Sequence, residues 1–406
     1  MAKILISSLG TGRKEEGSYK KAKYRLDDKV YETSFIAKAI DEHINLDKIF
    51  LIGTKKSIWD EAYIVFDGDN SEIHEELYDK KELGETTLEL LKEIEKGTDF
   101  KIKPFLIDYG LNENEIWSNF EKFIEISKFI EDGDEIYLDI THSFRSLSLM
   151  SYVMTQFASS VSDKNFTVKA VYYGMYEYSY ENKDGITPIV DIKILLELQD
   201  WIKAIEAIKR YGDFNALIEL LEQDNSLEKQ VKNTFVNLNN TINIANMSAM
   251  QQFIQTAHKK LNSIETSSNK IVKLLAPEII KIIDELNYDK KSDFQFALAK
   301  WFFKNHNYAL SYMALFEAVV TKTCELKEPN LDSSDKDVRD KIKGRVDYPY
   351  NIEFLENKDN KNENLDSLSS IRHSIVHQLD NRKDKVNQDI KKLSYFIDLF
   401  EKYFDK

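Results

Sequence analysis

Three clusters of residues in this sequence could do chemistry. The first, Ser7-Ser8-Leu9-Gly10-Thr11-Gly12, closes an apolar run and turns on two glycines. Backbone N–H groups at such a turn can approach a phosphate or ribose unobstructed by side chains, which makes Ser8, Leu9, Gly10, Thr11 and Gly12 candidate ligand contacts. The third glycine of a dinucleotide fingerprint is missing, so the segment also reads as a plain tight turn. The second cluster, Asp139-Ile140-Thr141-His142-Ser143-Phe144-Arg145, follows another apolar run. Thr141 and Ser143 offer hydroxyls, His142 and Arg145 offer donors, and a helix starting there adds a positive dipole suited to an anion or nucleotide. A capping turn with a satisfied histidine is the alternative. Tyr173, in Tyr172-Tyr173-Gly174, could stack on a base or simply pack.

The third cluster is Ser369-Ser370-Ile371-Arg372-His373-Ser374-Ile375-Val376-His377. It reads as a helix opened by a serine N-cap and carrying Arg372 and His377. Arginine can hold a phosphate bidentately, and histidine can move protons near neutral pH. Together they could cut RNA without metal, by orienting a 2'-hydroxyl toward the adjacent phosphorus and assisting proton transfer. The spacing alone is short enough to arise by chance. His373 and His377 could also share a metal, although Ser374 stands where a zinc protease carries its glutamate and no third ligand is near. The remaining histidines, His43, His74, His258 and His306, read as solvated or hydrogen-bonded structural residues.

The elements that must position these clusters come in two kinds. Short apolar runs at Lys3 to Leu9, Lys48 to Ile52, Lys101 to Ile107, Glu135 to Ile140 and Thr167 to Tyr173 read as strands. Between them, Thr33 to Ile44, Glu85 to Lys96, Glu113 to Ile130 and Phe144 to Ser160 have helical periodicity. This alternation predicts a Rossmann-like α/β domain, mainly parallel and covered on both faces. Ligands of such sheets bind outside the carboxyl ends of the strands, where the first two clusters fall. Residues 13–32 read as a long Lys- and Tyr-rich loop. After Thr187-Pro188 the strand pattern ends and long amphipathic stretches follow at Asp191 to Tyr211, Leu227 to Leu261 and Ile271 to Leu286. Glu328 to Leu365, rich in Lys, Asp and Asn, reads as an insertion between helices. The expected division is 1–190 and 191–406, the second part all-α.

Composition bounds the function. The chain has 406 residues, 42% of them hydrophobic, which suits two domains of ordinary size. A net charge of −14 argues against a protein that coats nucleic acid, so any such partner must enter a local site. A single cysteine, Cys324, allows no internal disulfide and fits a reducing cytoplasm. The opening MAKILISSLGTG lacks the pattern of a signal peptide, and no run approaches the roughly 18 apolar residues of a membrane span.

In their order, these features resemble the CARF-HEPN ribonucleases of type III CRISPR systems, in the subfamily named for an Asp-x-Thr-His-Gly motif. ISSLGTG, YETSFIAKAI from Tyr31, DITHSFR, and NYALSYMALFEAVV followed by RHSIVH stand where that family places its motifs. The resemblance implies a CARF sensor domain that dimerises and binds cyclic oligoadenylate, with cyclic tetra-adenylate ahead of cyclic hexa-adenylate. It implies a C-terminal HEPN domain in which Arg372 and His377 fit the Arg-x4-6-His signature, in a site formed between two protomers. The implied substrate is single-stranded RNA, cut with no metal or cofactor to 2',3'-cyclic phosphate and 5'-hydroxyl ends. Assembly beyond a homodimer stays open.

Two positions depart from the family pattern. Ser143 replaces the motif's glycine, and His373 stands where many relatives have Asn, so His373 joins Arg372 and His377 as a candidate catalytic group. Two other functions compete. One is a noncatalytic sensor whose helical half binds DNA or a partner; the other is a ring nuclease that cuts the activator within the sensor pocket.

Overall fold

Strands covered by helices on both sides must be apolar on both faces. β1 (Lys3–Leu9) and β6 (Lys48–Gly53) are buried along nearly their whole length. In the computed structural model, residues 1–15, 17–142, 145–161, 164–265, 267–344, 364–377 and 385–404 are described. The side chains of residues 145, 146, 261–265, 341–344, 364–367, 376, 377 and 402 lie outside that description. Contacts divide the chain into two units, Met1–Glu197 and Leu198–Lys406.

The first unit holds a mixed eight-stranded sheet. In spatial order its strands are β5 (Lys29–Thr33), β4 (Ala22–Leu26), β10 (Ile186–Asp191), β9 (Thr167–Gly174), β8 (Glu135–Asp139), β1, β6 and β7 (Ile102–Leu106). The five strands from β9 to β7 are parallel, while β10 is antiparallel to β9 and β5 to β4. A small ribbon, β2 (Lys14–Glu15) with β3 (Ser18–Tyr19), stands apart.

Alternate residues of β1 feed two cores. Leu5 and Leu9 join Phe35, Trp59 and Leu91 on one face, with α1 (Ile36–Ile44), α2 (Trp59–Val65), α3 (Ser71–Leu83) and α4 (Leu88–Gly97). Ile4 and Ile6 join Phe123, Ile126 and Met154 on the other, with α5 (Glu113–Ser127) and α6 (Arg145–Val161). A short α7 (Tyr178–Glu181) precedes β10.

The expected loop over residues 13–32 is instead two hairpins, β2–β3 and β4–β5. Along β4 only Tyr24 and Leu26 are buried, so the alternating signal is two residues long and sits among charges. The turn uses Asp27 at φ +51°, where Asn-Gly would have announced it. Thr33 accordingly ends β5, and the helix starts at Ile36. The strand pattern also continues through Thr187-Pro188. Ile186–Pro188 pairs with β4 and Ile189–Asp191 with β9, so Pro188, which has no N–H to give, sits where the pairing changes sides.

The second unit is helical throughout its described residues: α8 (Ile194–Tyr211, which the unit boundary crosses), α9 (Asn215–Gln223), α10 (Lys229–Asn243), α11 (Met247–Glu265) and α12 (Lys270–Asp284). Next come α13 (Lys291–Lys304), α14 (Tyr308–Lys327), α15 (Lys336–Gly344), α16 (Asn364–His377) and α17 (Val386–Phe404). One core built on Phe294, Phe302, Leu315, Val319 and Phe396 joins them. The amphipathic stretch from Leu227 to Leu261 breaks at Ala245, φ +55°, where the Asn246 side chain accepts from Ala249 N and restarts the helix. The expected insertion after Glu328 contains α15; residues 345–363 lie outside the described residues. No described helix is long and apolar enough to cross a membrane.

Candidate functional site

The strand order reverses direction at β1: β6 and β7 lie to one side, β8 and β9 to the other. A crevice must open where the connections diverge, and it is the usual ligand site of such sheets. A cavity of about 390 Å³ occupies that position. Ser8, Leu9, Gly10, Thr11 and Gly12 at and after the end of β1 line it, together with Thr141 and His142 just after β8 and Tyr173 from β9. Ser143 lies outside the described residues, as does the side chain of Arg145.

The wall is held by polar contacts between strand ends. Ser7 Oγ donates to Asp139 Oδ2 at 2.6 Å, and Thr141 N donates to Asp139 Oδ1 at 3.0 Å. Gly174 N donates to Thr141 Oγ1 at 2.8 Å. A Cβ on Gly174 would lie 2.7 Å from Ile36 Cδ1, so glycine is what allows β9 this close to α1 and Thr141. The β1 turn is held from the other side, where Ser57 Oγ donates to Leu9 O at 2.7 Å and Ile58 N to Gly10 O at 3.0 Å.

Burial shapes the charge states. It raises the pKa of Asp139, against the lowering effects of His142 and of the hydrogen bonds from Ser7 and Thr141. Burial also lowers the pKa of His142, against the nearby charge of Asp139. The histidine is therefore held toward its neutral form, with Nε2 3.3 Å from the Tyr24 hydroxyl.

Sequence reasoning missed several lining residues. Arg13 and Lys20 bring positive charge to the cavity, Tyr24 and Tyr176 bring rings, and Glu177 a carboxylate. Lys20 Nζ is 2.8 Å from Glu15 Oε1. The Lys and Tyr richness of residues 13–32 was the available signal, but only the hairpins turn these side chains to the strand ends. Tyr19, in β3, is anchored at Asp60, to which its hydroxyl donates at 2.9 Å. Lys81 Nζ lies 3.2 Å from the same carboxylate, forming a buried ion pair.

The third cluster lies on α16, with Ser369 and Ser370 inside the helix and not at an N-cap. The helix is described from Asn364, and Leu368 and Ile371, both buried, continue its apolar face across the two serines. Arg372 Nη2 is 3.8 Å from Glu317 Oε1 of α14, and its guanidinium lies 5.3 Å over the Phe316 ring. Arg372 Nε has no hydrogen-bond partner among the described residues. His373 is exposed on the same helix, and the side chain of His377 lies outside the described residues.

A Rossmann-like sheet with a cavity at its switch point is thus followed along the chain by a helical unit. Residues 4–177 match the model of the CARF domain of CRISPR system endoribonuclease Csx1. Residues 197–290 match that of the second domain of CRISPR-associated protein MJ1674. MJ1674 of Methanocaldococcus jannaschii is 32% identical over 408 residues, an alignment spanning 93% of this chain and 62% of that protein. The chain thus spans less than two thirds of that relative's length. A structure of Enterococcus italicus Csm6 bound to cyclic hexa-2'-fluoro-hexa-dAMP overlaps 98% of this chain and 94% of that one, at TM-score 0.40 and 14% identity. An overlap that loose transfers no function. Over these two stretches the chain is thus similar to CRISPR-associated, CARF-containing proteins.

Proposed function

We propose that this protein is a cyclic oligoadenylate-activated endoribonuclease of type III CRISPR defence, whose helical unit ends in a HEPN domain. The observation that carries the reading is a cavity at the switch point of a Csx1-type CARF domain, in a chain that also bears Arg372 and His377 on one helix. The glycine turn, Arg13 and Lys20 suit phosphates, and Tyr24, Tyr173 and Tyr176 suit adenine rings. A cavity of about 390 Å³ holds a drug-sized ligand, which is less than a ring of four adenylates. Two copies sharing one ring resolve the mismatch and make the working unit a homodimer. Cyclic tetra-adenylate is the favoured activator.

Ring binding changes the relative placement of the two helical modules and brings Arg372 and His377 of each copy to the RNA. Arg372 then binds the scissile phosphate with donors that its 3.8 Å contact to Glu317 leaves unspent. The 2'-oxygen attacks phosphorus and gives up its proton, His377 assists proton transfer, and the 5'-oxygen leaves protonated. His373 supplies a further donor. No metal takes part. End-group analysis of products formed in EDTA tests this: 2',3'-cyclic phosphate and 5'-hydroxyl ends are expected, and cleavage that vanishes with EDTA and returns with Mn2+ overturns it.

One observation favours a second activity. His142, held toward its neutral form beside Tyr24 within the cavity, is a candidate to accept a proton from a bound ring. Ring decay that survives Arg372→Ala and is lost in His142→Ala would establish it.

A further inference from the structure

We infer that Arg339 is a positioning residue that keeps Arg372 available to the substrate by neutralising Glu317, an inference that rests on the ribonuclease reading above. Glu317 projects from α14 and meets two guanidinium groups on unequal terms. Arg339 Nη2, from α15, hydrogen-bonds Glu317 Oε2. Arg372 Nη2, from α16, is 3.8 Å from Oε1, beyond hydrogen-bond reach.

The rest of each side chain follows the same division. Arg339 Nη1 donates to Thr321 Oγ1 at 3.0 Å and to Ser333 O at 2.9 Å, and the side chain is 12% exposed. Three hydrogen bonds, to three different partners, hold its guanidinium in place. Arg372 is 29% exposed, rests on the face of Phe316 and keeps Nε without a partner among the described residues. One carboxylate with two guanidinium groups leaves a formal surplus of one positive charge, and that surplus sits on the less constrained arginine. Among the described residues Arg372 makes no bidentate pair, and its guanidinium lies over the Phe316 ring, so an anion arriving from solvent meets a cation held by one long contact.

Without Arg339, the partly buried carboxylate has a single counterion. Arg372 then closes on Glu317 as a short fork, because an unpaired carboxylate at this depth is costly. That fork occupies the donors a phosphate needs. Neutralising Glu317 as well releases Arg372 again, which a purely structural pin between α14 and α15 would not do.

The test is a double-mutant cycle on the full chain, with labelled single-stranded RNA and cyclic tetra-adenylate or cyclic hexa-adenylate, and folding followed by thermal melting. Arg339→Gln is expected to lower kcat roughly 10–100-fold, the loss of one charge-assisted contact in the transition state, with KM nearly unchanged. Glu317→Gln and the double variant Arg339→Gln/Glu317→Gln are expected to agree within about threefold. The Glu317→Gln pair decides the question even if Arg339→Gln alone fails to fold, since neither member buries an unpaired carboxylate. A wild-type rate in Arg339→Gln, or an equal loss from Arg339→Gln in both backgrounds, overturns the inference. Arg372→Ala separates the two levels: undiminished cleavage there sinks the ribonuclease reading itself, whereas abolished cleavage leaves the cycle to judge Arg339.

Discussion

Ser7 and Asp139 meet in a buried 2.6 Å hydrogen bond that joins β1 to β8, the strand pair whose ends open into the cavity. The bond fixes the spacing of the two loops that carry Gly10 and Thr141. It also gives an ordinary-looking strand serine a task that hydropathy does not reveal.

Ser7→Ala removes one donor from a fully buried carboxylate that Thr141 also hydrogen-bonds. The expected cost is about 1–3 kcal/mol of stability, the penalty for an unsatisfied buried acceptor. Ser7→Thr is expected to cost less. Denaturant unfolding measures both, and equal midpoints for wild type and Ser7→Ala would refute the assigned role.

The pH dependence follows from His142. Its folded pKa lies below the ordinary 6.5, so its contribution is present above that value and is lost as pH falls toward the folded pKa. Asp139, whose pKa is raised, contributes in the opposite sense: its share is present below 3.8 and lost as pH rises. The difference between wild type and His142→Asn isolates the histidine. Melting temperatures are expected to shift in the variant's favour as pH drops from about 7.5 to about 5.5. A constant difference across that range contradicts the assignment.

Gly12 has φ +66°, and a Cβ there would lie 2.7 Å from Ile58 Cγ2 and 2.8 Å from the Tyr19 ring. Gly12→Ala is expected to cost about 1–2 kcal/mol through backbone strain and to push the Tyr19 hairpin off the cavity. Calorimetric titration with cyclic tetra-adenylate should show weaker binding than Gly17→Ala, where φ is also positive but nothing lies within 4 Å. Equal affinities would show that crowding at Gly12 is immaterial to the ligand.

Lys81 and Asp60 are 5% and 1% exposed and lie 3.2 Å apart, with Tyr19 on the same carboxylate. Lys81→Met strands Asp60 and is expected to cost about 3–5 kcal/mol, whereas Lys81→Met/Asp60→Leu should recover most of it. Thermal unfolding of both variants provides the check; a double variant no more stable than the single would mean the pair is not coupled.

What the sequence disclosed follows from what each element buries. β1 and β6 are apolar on both faces, so their runs stand out, and α5 and α6 carry long periodic stripes. The ends of β1 and β8 were legible as candidate ligand contacts, and the structure shows them lining the cavity, because strand, turn and polar cluster follow one another in the chain. Arg13, Lys20 and Tyr24 were not, because their path to the cavity depends on two hairpins, and the one that carries Tyr24 is joined to the sheet through β10, more than a hundred residues away in sequence. The start of α16 was misplaced because serine is a good N-cap, and local preference yielded to the buried pair Leu368 and Ile371. Glu317, which meets both Arg339 and Arg372, had no local signal at all.

The most direct test of the account is cleavage of labelled single-stranded RNA in EDTA, with no ring, cyclic tetra-adenylate or cyclic hexa-adenylate, beside Arg372→Ala and His377→Ala. Ring-dependent cleavage that both substitutions abolish is the predicted result. Measurable ring binding with no cleavage under any condition would contradict it and leave a sensor without nuclease activity.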